Sequence, residues 1–173
     1  MTGGQYPRQR KLIGTELTTT QLDSAFRQNS WTRRMYSGTF PVDLLPRFRP
    51  TKTPCFIIVN LDPSNMPGSH WVLIFFPIKT SVSRGCTFLF DSLGASAETQ
   101  DVLAPFFKSS YRFNRLKLQD NQSKSCGYFV LAAGLLLSRG VAPDRLTSYF
   151  SRADTGLNDE ILRQLVGKEF ELT

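Results

Sequence analysis

Histidine occurs once in these 173 residues, cysteine three times, and no CxxC pair is present. A lone histidine, His70, excludes a multi-histidine metal site, so any histidine-dependent chemistry must use that residue and no metal is expected. Cys55, Cys86 and Cys126 are odd in number and widely spaced, which argues against a disulfide framework and against structural zinc. Long apolar runs are missing too. The longest, around Phe129 to Leu137, falls far short of the ~20 residues of a membrane span. The N-terminus is polar and basic without an apolar core, so no signal peptide is expected. These absences predict a soluble, non-secreted protein with no membrane partner. Internal repeats, low-complexity tracts, linkers and nucleic-acid-reading motifs are absent as well.

What is present is a globular composition, 40% hydrophobic and 12% aromatic, enough for one domain with a real core. Acidic residues are outnumbered, 14 against 21 basic, for a net charge of +7. The excess fits either simple solubility or an anionic partner. Beyond Arg8, Arg10, Lys11 and Arg27, the clustered candidates for DNA contact are Arg33, Arg34, Arg47, Arg49, Lys52, Arg112, Arg115 and Lys117. Without a base-reading motif, such binding would be to phosphates and independent of sequence.

Along the chain, residues 1–14 read as a flexible basic segment and 15–173 as a single domain. Thr18 to Thr20 offer N-caps for a short helix with Leu22 and Phe26 on one face. Gly38 to Pro46 reads as loop. Phe56–Val59, Trp71–Phe76 and Thr87–Phe90 read as strands, with Cys55 and Cys86 as inert core residues on them. Ser96 opens a helix whose apolar residues are Val102, Leu103, Phe106 and Phe107. Tyr111 to Leu118 alternates as a strand with one wet face. Cys126 to Ser138 is apolar almost all round, the pattern of a buried helix, ended by Gly140 and Pro143. Asp159 and Glu160 fall in the first turn of a last helix, with Ile161, Leu162, Leu165 and Val166 inward. The fold class is α+β: a small mixed central sheet packed by helices, with the buried helix carrying Cys126 at its N-terminus.

That placement concentrates the chemistry. Free N–H groups at a helix start favour a thiolate at Cys126. His70 stands at the mouth of one strand and Asp91 closes another. Nucleophile, base and orienting carboxylate at element ends near one sheet follow triad logic.

Gly68-Ser69-His70-Trp71, Phe88-Leu89-Phe90-Asp91-Ser92-Leu93-Gly94 and Gln119 through Cys126-Gly127-Tyr128-Phe129 resemble the motif blocks of the adenovirus protease (adenain) family of cysteine proteases. Gly38-Thr39-Phe40 and Ile58-Val59-Asn60 resemble that family's upstream segments, so the similarity runs from about residue 15 to 140. The order His, acid, Gln, Cys is shared with the related SUMO- and ubiquitin-like-specific proteases.

The resemblance implies His70 as general base, Asp91 as its partner, Cys126 as nucleophile and Gln119 as side-chain oxyanion donor, with the backbone N–H of Cys126 as a second donor. Gln119 stands at the adenain spacing from Cys126; the SUMO-protease spacing would fall on Asp120. Gln122 is the rival donor and ranks lower. The acid is Asp where adenain has Glu.

The family implies cleavage of viral precursor polypeptides after apolar-x-Gly-Gly or apolar-x-Gly-x sites. It also implies DNA as a cofactor, a monomer, and a location in the host nucleus and virion. Adenain's activating viral peptide is disulfide-linked to a cysteine between acid and nucleophile. None lies between Asp91 and Cys126, so any such peptide would bind noncovalently. Met1-Thr2-Gly3-Gly4-Gln5 itself fits the cleavage pattern, which allows self-trimming after Gly4. The alternatives are a deubiquitinase or SUMO-type isopeptidase, and a non-catalytic DNA-binding virion protein on the same fold.

Overall fold

Two near-continuous apolar strands, Cys55–Asn60 (β2) and Trp71–Phe76 (β3), form the centre of a five-stranded sheet, and all but the last residue of each is buried. Strands buried on both faces lose the alternation of a one-sided sheet. A computed structural model describes residues 16–78, 85–107 and 110–172. The expected flexible segment 1–14, with its Gly-Gly sequence, lies outside those residues.

The sheet runs β1-β2-β3-β4-β5, with Tyr36–Pro41 as β1, Thr87–Phe90 as β4 and Tyr111–Phe113 as β5. The three central strands are antiparallel, while β1 and β5 join the edges in parallel, so the sheet is mixed. One face is covered by α1 (Thr19–Gln28), α3 (Cys126–Ser138) and α4 (Thr155–Glu169) through Leu22, Phe26, Phe129, Leu162 and Val166. The other is covered by the 3-10 segment Val42–Arg47 and by α2 (Ala97–Leu103) through Leu45 and Leu103. Among the described residues no helix is long and apolar enough to cross a membrane.

Helix α1 starts with a capping box: Thr18 Oγ1 accepts from the Gln21 N–H at 3.2 Å and Gln21 Oε1 accepts from the Thr18 N–H at 2.9 Å. Its Leu22 and Phe26 are fully buried, worth about 1.5–3 kcal/mol each. Helix α3 spans the residues expected for it and packs against β3, α1 and α4. Close approach there depends on Gly134, where an added Cβ would stand 2.6 Å from the Phe26 ring and 2.9 Å from Phe56.

Five expectations need correction. Gly38 to Pro41 is not loop but the last four residues of β1, which pairs with β2 across a register shift between Tyr36 and Thr39. Tyr111 to Leu118 is a strand only through Phe113, because its partner β4 is four residues long. Helix α2 ends at Leu103, so Phe106 and Phe107 pack from the turn beyond it. Helix α4 begins at Thr155, capped by Asp154, and leaves Ile161 and Leu165 exposed at 43% and 64%. Cys86 precedes β4 and is half-buried, its thiol donating to the Ser110 carbonyl at 3.2 Å.

Candidate active site

Strand pairing brings the expected residues together. Antiparallel register sets Leu73 of β3 opposite Phe90 of β4, so the start of β3 and the end of β4 share one end of the sheet. His70 immediately precedes β3 and Asp91 immediately follows β4. Helix α3 lies along β3 and begins at Cys126, which is buried at 3% exposure.

His70 Nε2 and Asp91 Oδ1 are 2.7 Å apart, with Asp91 only 1% exposed. Both oxygens of the carboxylate are engaged. Oδ1 also accepts the Leu93 N–H at 2.8 Å, and Oδ2 accepts the Thr99 hydroxyl at 3.1 Å. With Nε2 committed to Asp91, Nδ1 is the ring nitrogen left for Cys126. Burial alone pulls the His70 pKa down, but the hydrogen bonds to Asp91 and Cys126 outweigh it and push it up to about 9. The ring therefore keeps its proton at neutral pH.

Gln119 is 2% exposed at the head of the loop that ends in Cys126. Its Oε1 accepts the Ser92 hydroxyl at 2.6 Å and its Nε2 donates to the Ser123 carbonyl at 2.8 Å. A carbonyl can only accept, so Ser123 fixes which end of the amide is nitrogen and leaves one amide hydrogen to donate elsewhere. Gln122 is exposed in a turn, its N–H given to Asp120 Oδ1. The structure thus gathers His70, Asp91 and Cys126, buries Gln119 in the loop that leads to Cys126, and turns Gln122 outward.

Sequence reasoning missed the groups that hold this arrangement. Asn114, inside the expected strand, bonds both sides of the Asp91 peptide backbone. Ser92 and Thr99 fix Gln119 and Asp91. Asn158, Asp159 and Arg163 of α4 hold the loop between Leu118 and Ser125. These are polar residues on surfaces that only the tertiary fold brings inward, and no local pattern marks them.

The rim beside His70 carries a small cavity of about 180 Å³ between Leu17, Asn60, Gly68 and Trp71. Trp71 Nε1 donates to the Leu17 carbonyl at 2.9 Å, and Leu17 packs on Gly127, where a Cβ would come within 2.8 Å of it. A larger apolar cavity of about 650 Å³ lies elsewhere, between α3 and α4, and touches none of His70, Asp91 and Cys126.

The basic candidates do not converge on one face. Arg33, Arg34, Arg47, Arg49 and Lys52 flank β1, with Lys52 Nζ donating to the Arg34 carbonyl at 2.7 Å. Arg112, Arg115 and Lys117 lie on or beyond β5. Those strands are opposite edges of the sheet, about 19 Å apart over four strand spacings.

The fold is similar to that of a solved protease. The crystal structure of the ASFV pS273R protease matches it with a TM-score of 0.56 at 16% identity, covering 86% of this chain and 66% of that one. At that identity the likeness is one of fold, and this chain spans about two thirds of that protein's length. The selenomethionine form of the same protease gives 0.48 at 16%, covering 86% and 67%. The central domain of the uncharacterized Lpg1148 protein from Legionella pneumophila gives 0.49 at 14%, covering 90% and 96%. No family model and no curated protein matches the sequence.

Proposed function

We propose that this chain is a cysteine endopeptidase with Cys126 as nucleophile, His70 as proton shuttle and Asp91 as the group that orients the imidazole. The observation that carries the proposal is the 2.7 Å contact of His70 Nε2 with the buried Asp91, beside Cys126 at the first position of a buried helix. The protease fold supports it.

In this mechanism the Cys126 thiolate attacks the scissile carbonyl carbon, and the π electrons move to oxygen. That oxyanion is received by the Cys126 N–H and by the free hydrogen of the Gln119 amide. Each such donor is worth about 2.7–4 kcal/mol in the transition state. The protonated His70 then gives its proton to the leaving amine. Once neutral, it takes a proton from the water that hydrolyses the thioester.

The 180 Å³ of space at the rim has room for backbone and very small side chains. It supports an adenain-like preference for apolar-x-Gly-Gly and apolar-x-Gly-x sites in viral precursor proteins. Duplex DNA is the proposed stimulator, through the basic edges. A noncovalent activating peptide belongs to the same reading, as does a nuclear and virion location.

The test is substrate selectivity. Cleavage within apolar-x-Gly-Gly-x peptides, with weak action on ubiquitin-like C-terminal probes, is the expected result. Turnover confined to those probes would replace the endopeptidase with an isopeptidase.

A further inference from the structure

Three of the four α-helices among the described residues begin in the ordinary way. Thr18, Ser96 and Asp154 are extended at ψ 162°, 167° and 94°, and each accepts a backbone N–H on its side chain. Helix α3 does not. Its N-cap residue, Ser125, sits at φ −92°, ψ 0° and makes no capping bond, although serine is among the best caps.

The reason is visible in the hydroxyl's partners. A serine oxygen has two acceptor sites. Both are filled at Ser125: Arg163 Nη2 donates at 2.8 Å and the Ser123 hydroxyl at 2.9 Å. Nothing remains to accept from the helix. Among the described residues neither the Cys126 nor the Gly127 N–H has an acceptor, while Tyr128 N–H bonds the Ser125 carbonyl at 2.8 Å.

The same helix that supplies Arg163 grips the loop at two earlier points. Asn158 Nδ2 donates to the Leu118 carbonyl at 2.9 Å, and Asp159 Oδ2 accepts the Asp120 N–H at 3.1 Å. Asp159 is 5% exposed and lies one turn from Arg163.

We infer that Arg163 is a positioning residue that keeps the nucleophile's helix uncapped. Rotation of Ser125 ψ from 0° to the extended value of an ordinary cap would swing the plane that contains the Cys126 N–H. The freed hydroxyl would then take the Gly127 or Tyr128 N–H for itself. Arg163 prevents both, so the helix start faces the oxyanion with its donors free. Asp159 and Asn158 fix the loop on which that geometry depends. The inference rests on the proposed protease reading only for its catalytic consequence.

The experiment compares wild type, R163M, R163K and the double variant S125A/R163M, with two readouts. The first is kcat and KM on an apolar-x-Gly-Gly-x peptide, beside the rate of alkylation by iodoacetamide, which forms no oxyanion. R163M should lose roughly 100-fold in kcat, the lower end of what loss of one oxyanion donor costs, with KM and alkylation little changed. R163K, which can still donate to the hydroxyl, should keep much of the activity. S125A/R163M should recover activity relative to R163M, because the competing cap is gone. A merely structural Arg163 predicts the opposite, a double variant worse than either change.

The second readout is the amide NMR signals of Cys126, Gly127 and Tyr128. A cap formed in R163M and abolished in S125A/R163M should shift the Gly127 or Tyr128 signal and then restore it. Unchanged signals would overturn the inference whether or not the protein proves to be a protease. Absence of wild-type turnover with the expected NMR shifts would instead overturn the protease reading alone.

Discussion

Asn114 brackets Asp91. Its Oδ1 accepts the Asp91 N–H at 2.9 Å and its Nδ2 donates to the Asp91 carbonyl at 2.7 Å, with a further bond to the Leu116 carbonyl at 3.1 Å. The position of the carboxylate that contacts His70 is therefore set from the backbone, by a residue 23 positions away.

Replacing Asn114 by Ala leaves the buried Asp91 N–H without its partner, at a cost of about 1–3 kcal/mol, while the Asp91 carbonyl keeps the Gly94 N–H at 3.0 Å. Asn114→Ala should be destabilised by that order in urea unfolding, and should lose kcat beyond what its stability loss explains. Asn114→Asp should be worse, because it removes the donor and sets a second carboxylate beside Asp91.

The ionisation of His70 gives a pH prediction. Its pKa is raised from 6.5 to about 9, so the protonated ring stabilises the fold fully below 6.5, and that contribution is lost as pH rises through about 9. Peptide turnover should fall along an alkaline limb near pH 9. In Asp91→Asn the limb should move to lower pH, because a raising partner is gone, and the rate should drop by roughly a hundredfold or more. A limb at the same pH in both proteins would show that His70 is not the titrating group.

Packing at Gly134 is a stability prediction without a catalytic component. A Cβ there meets two buried rings at 2.6 and 2.9 Å, and overpacking of this kind costs typically about 1–3 kcal/mol. Gly134→Ala should lower the thermal midpoint while Cys126 alkylation at low temperature stays close to wild type.

The split of basic residues yields a binding prediction. Five of the eight candidate contacts flank β1 and three lie at β5. The β1 edge is therefore the expected duplex site. Neutralising Arg33, Arg34 and Lys52 together should reduce the slope of log affinity against log salt by roughly 2–3. Neutralising Arg112, Arg115 and Lys117 should change it little. Equal effects from both sets would mean that the duplex wraps the sheet or that binding is diffuse.

Much of this was readable from the chain. Cys126 to Ser138 is apolar all round and bounded by polar residues, so its helix was predicted end to end. The strands β2 and β3 are dense enough in aromatic and branched residues to declare themselves. The edges were harder. Gly38 and Pro41 read as loop because local turn chemistry outweighs a pairing supplied by β2. The alternation from Tyr111 to Leu118 was genuine, but β4 offers too few partners, and Asn114 leaves the sheet to reach Asp91. In α4, Asp154 is the cap, yet Asp159 and Glu160 look like a first turn. Ile161 and Leu165 are apolar without being inward, so composition alone misassigned their face. His70, Asp91 and Cys126 were legible because they stand at element ends. Ser125, Asn114 and Arg163 were not, since their roles exist only once α4 and β5 are docked.

The central claim is tested most directly by turnover of a fluorogenic apolar-x-Gly-Gly-x peptide, with wild type and Cys126→Ala compared with and without duplex DNA. The account predicts cleavage by wild type, none by Cys126→Ala, and a DNA stimulation that fades as salt is raised. Cleavage that persists in Cys126→Ala would contradict it, as would a folded wild type that neither cleaves nor alkylates at Cys126 ahead of Cys55 and Cys86.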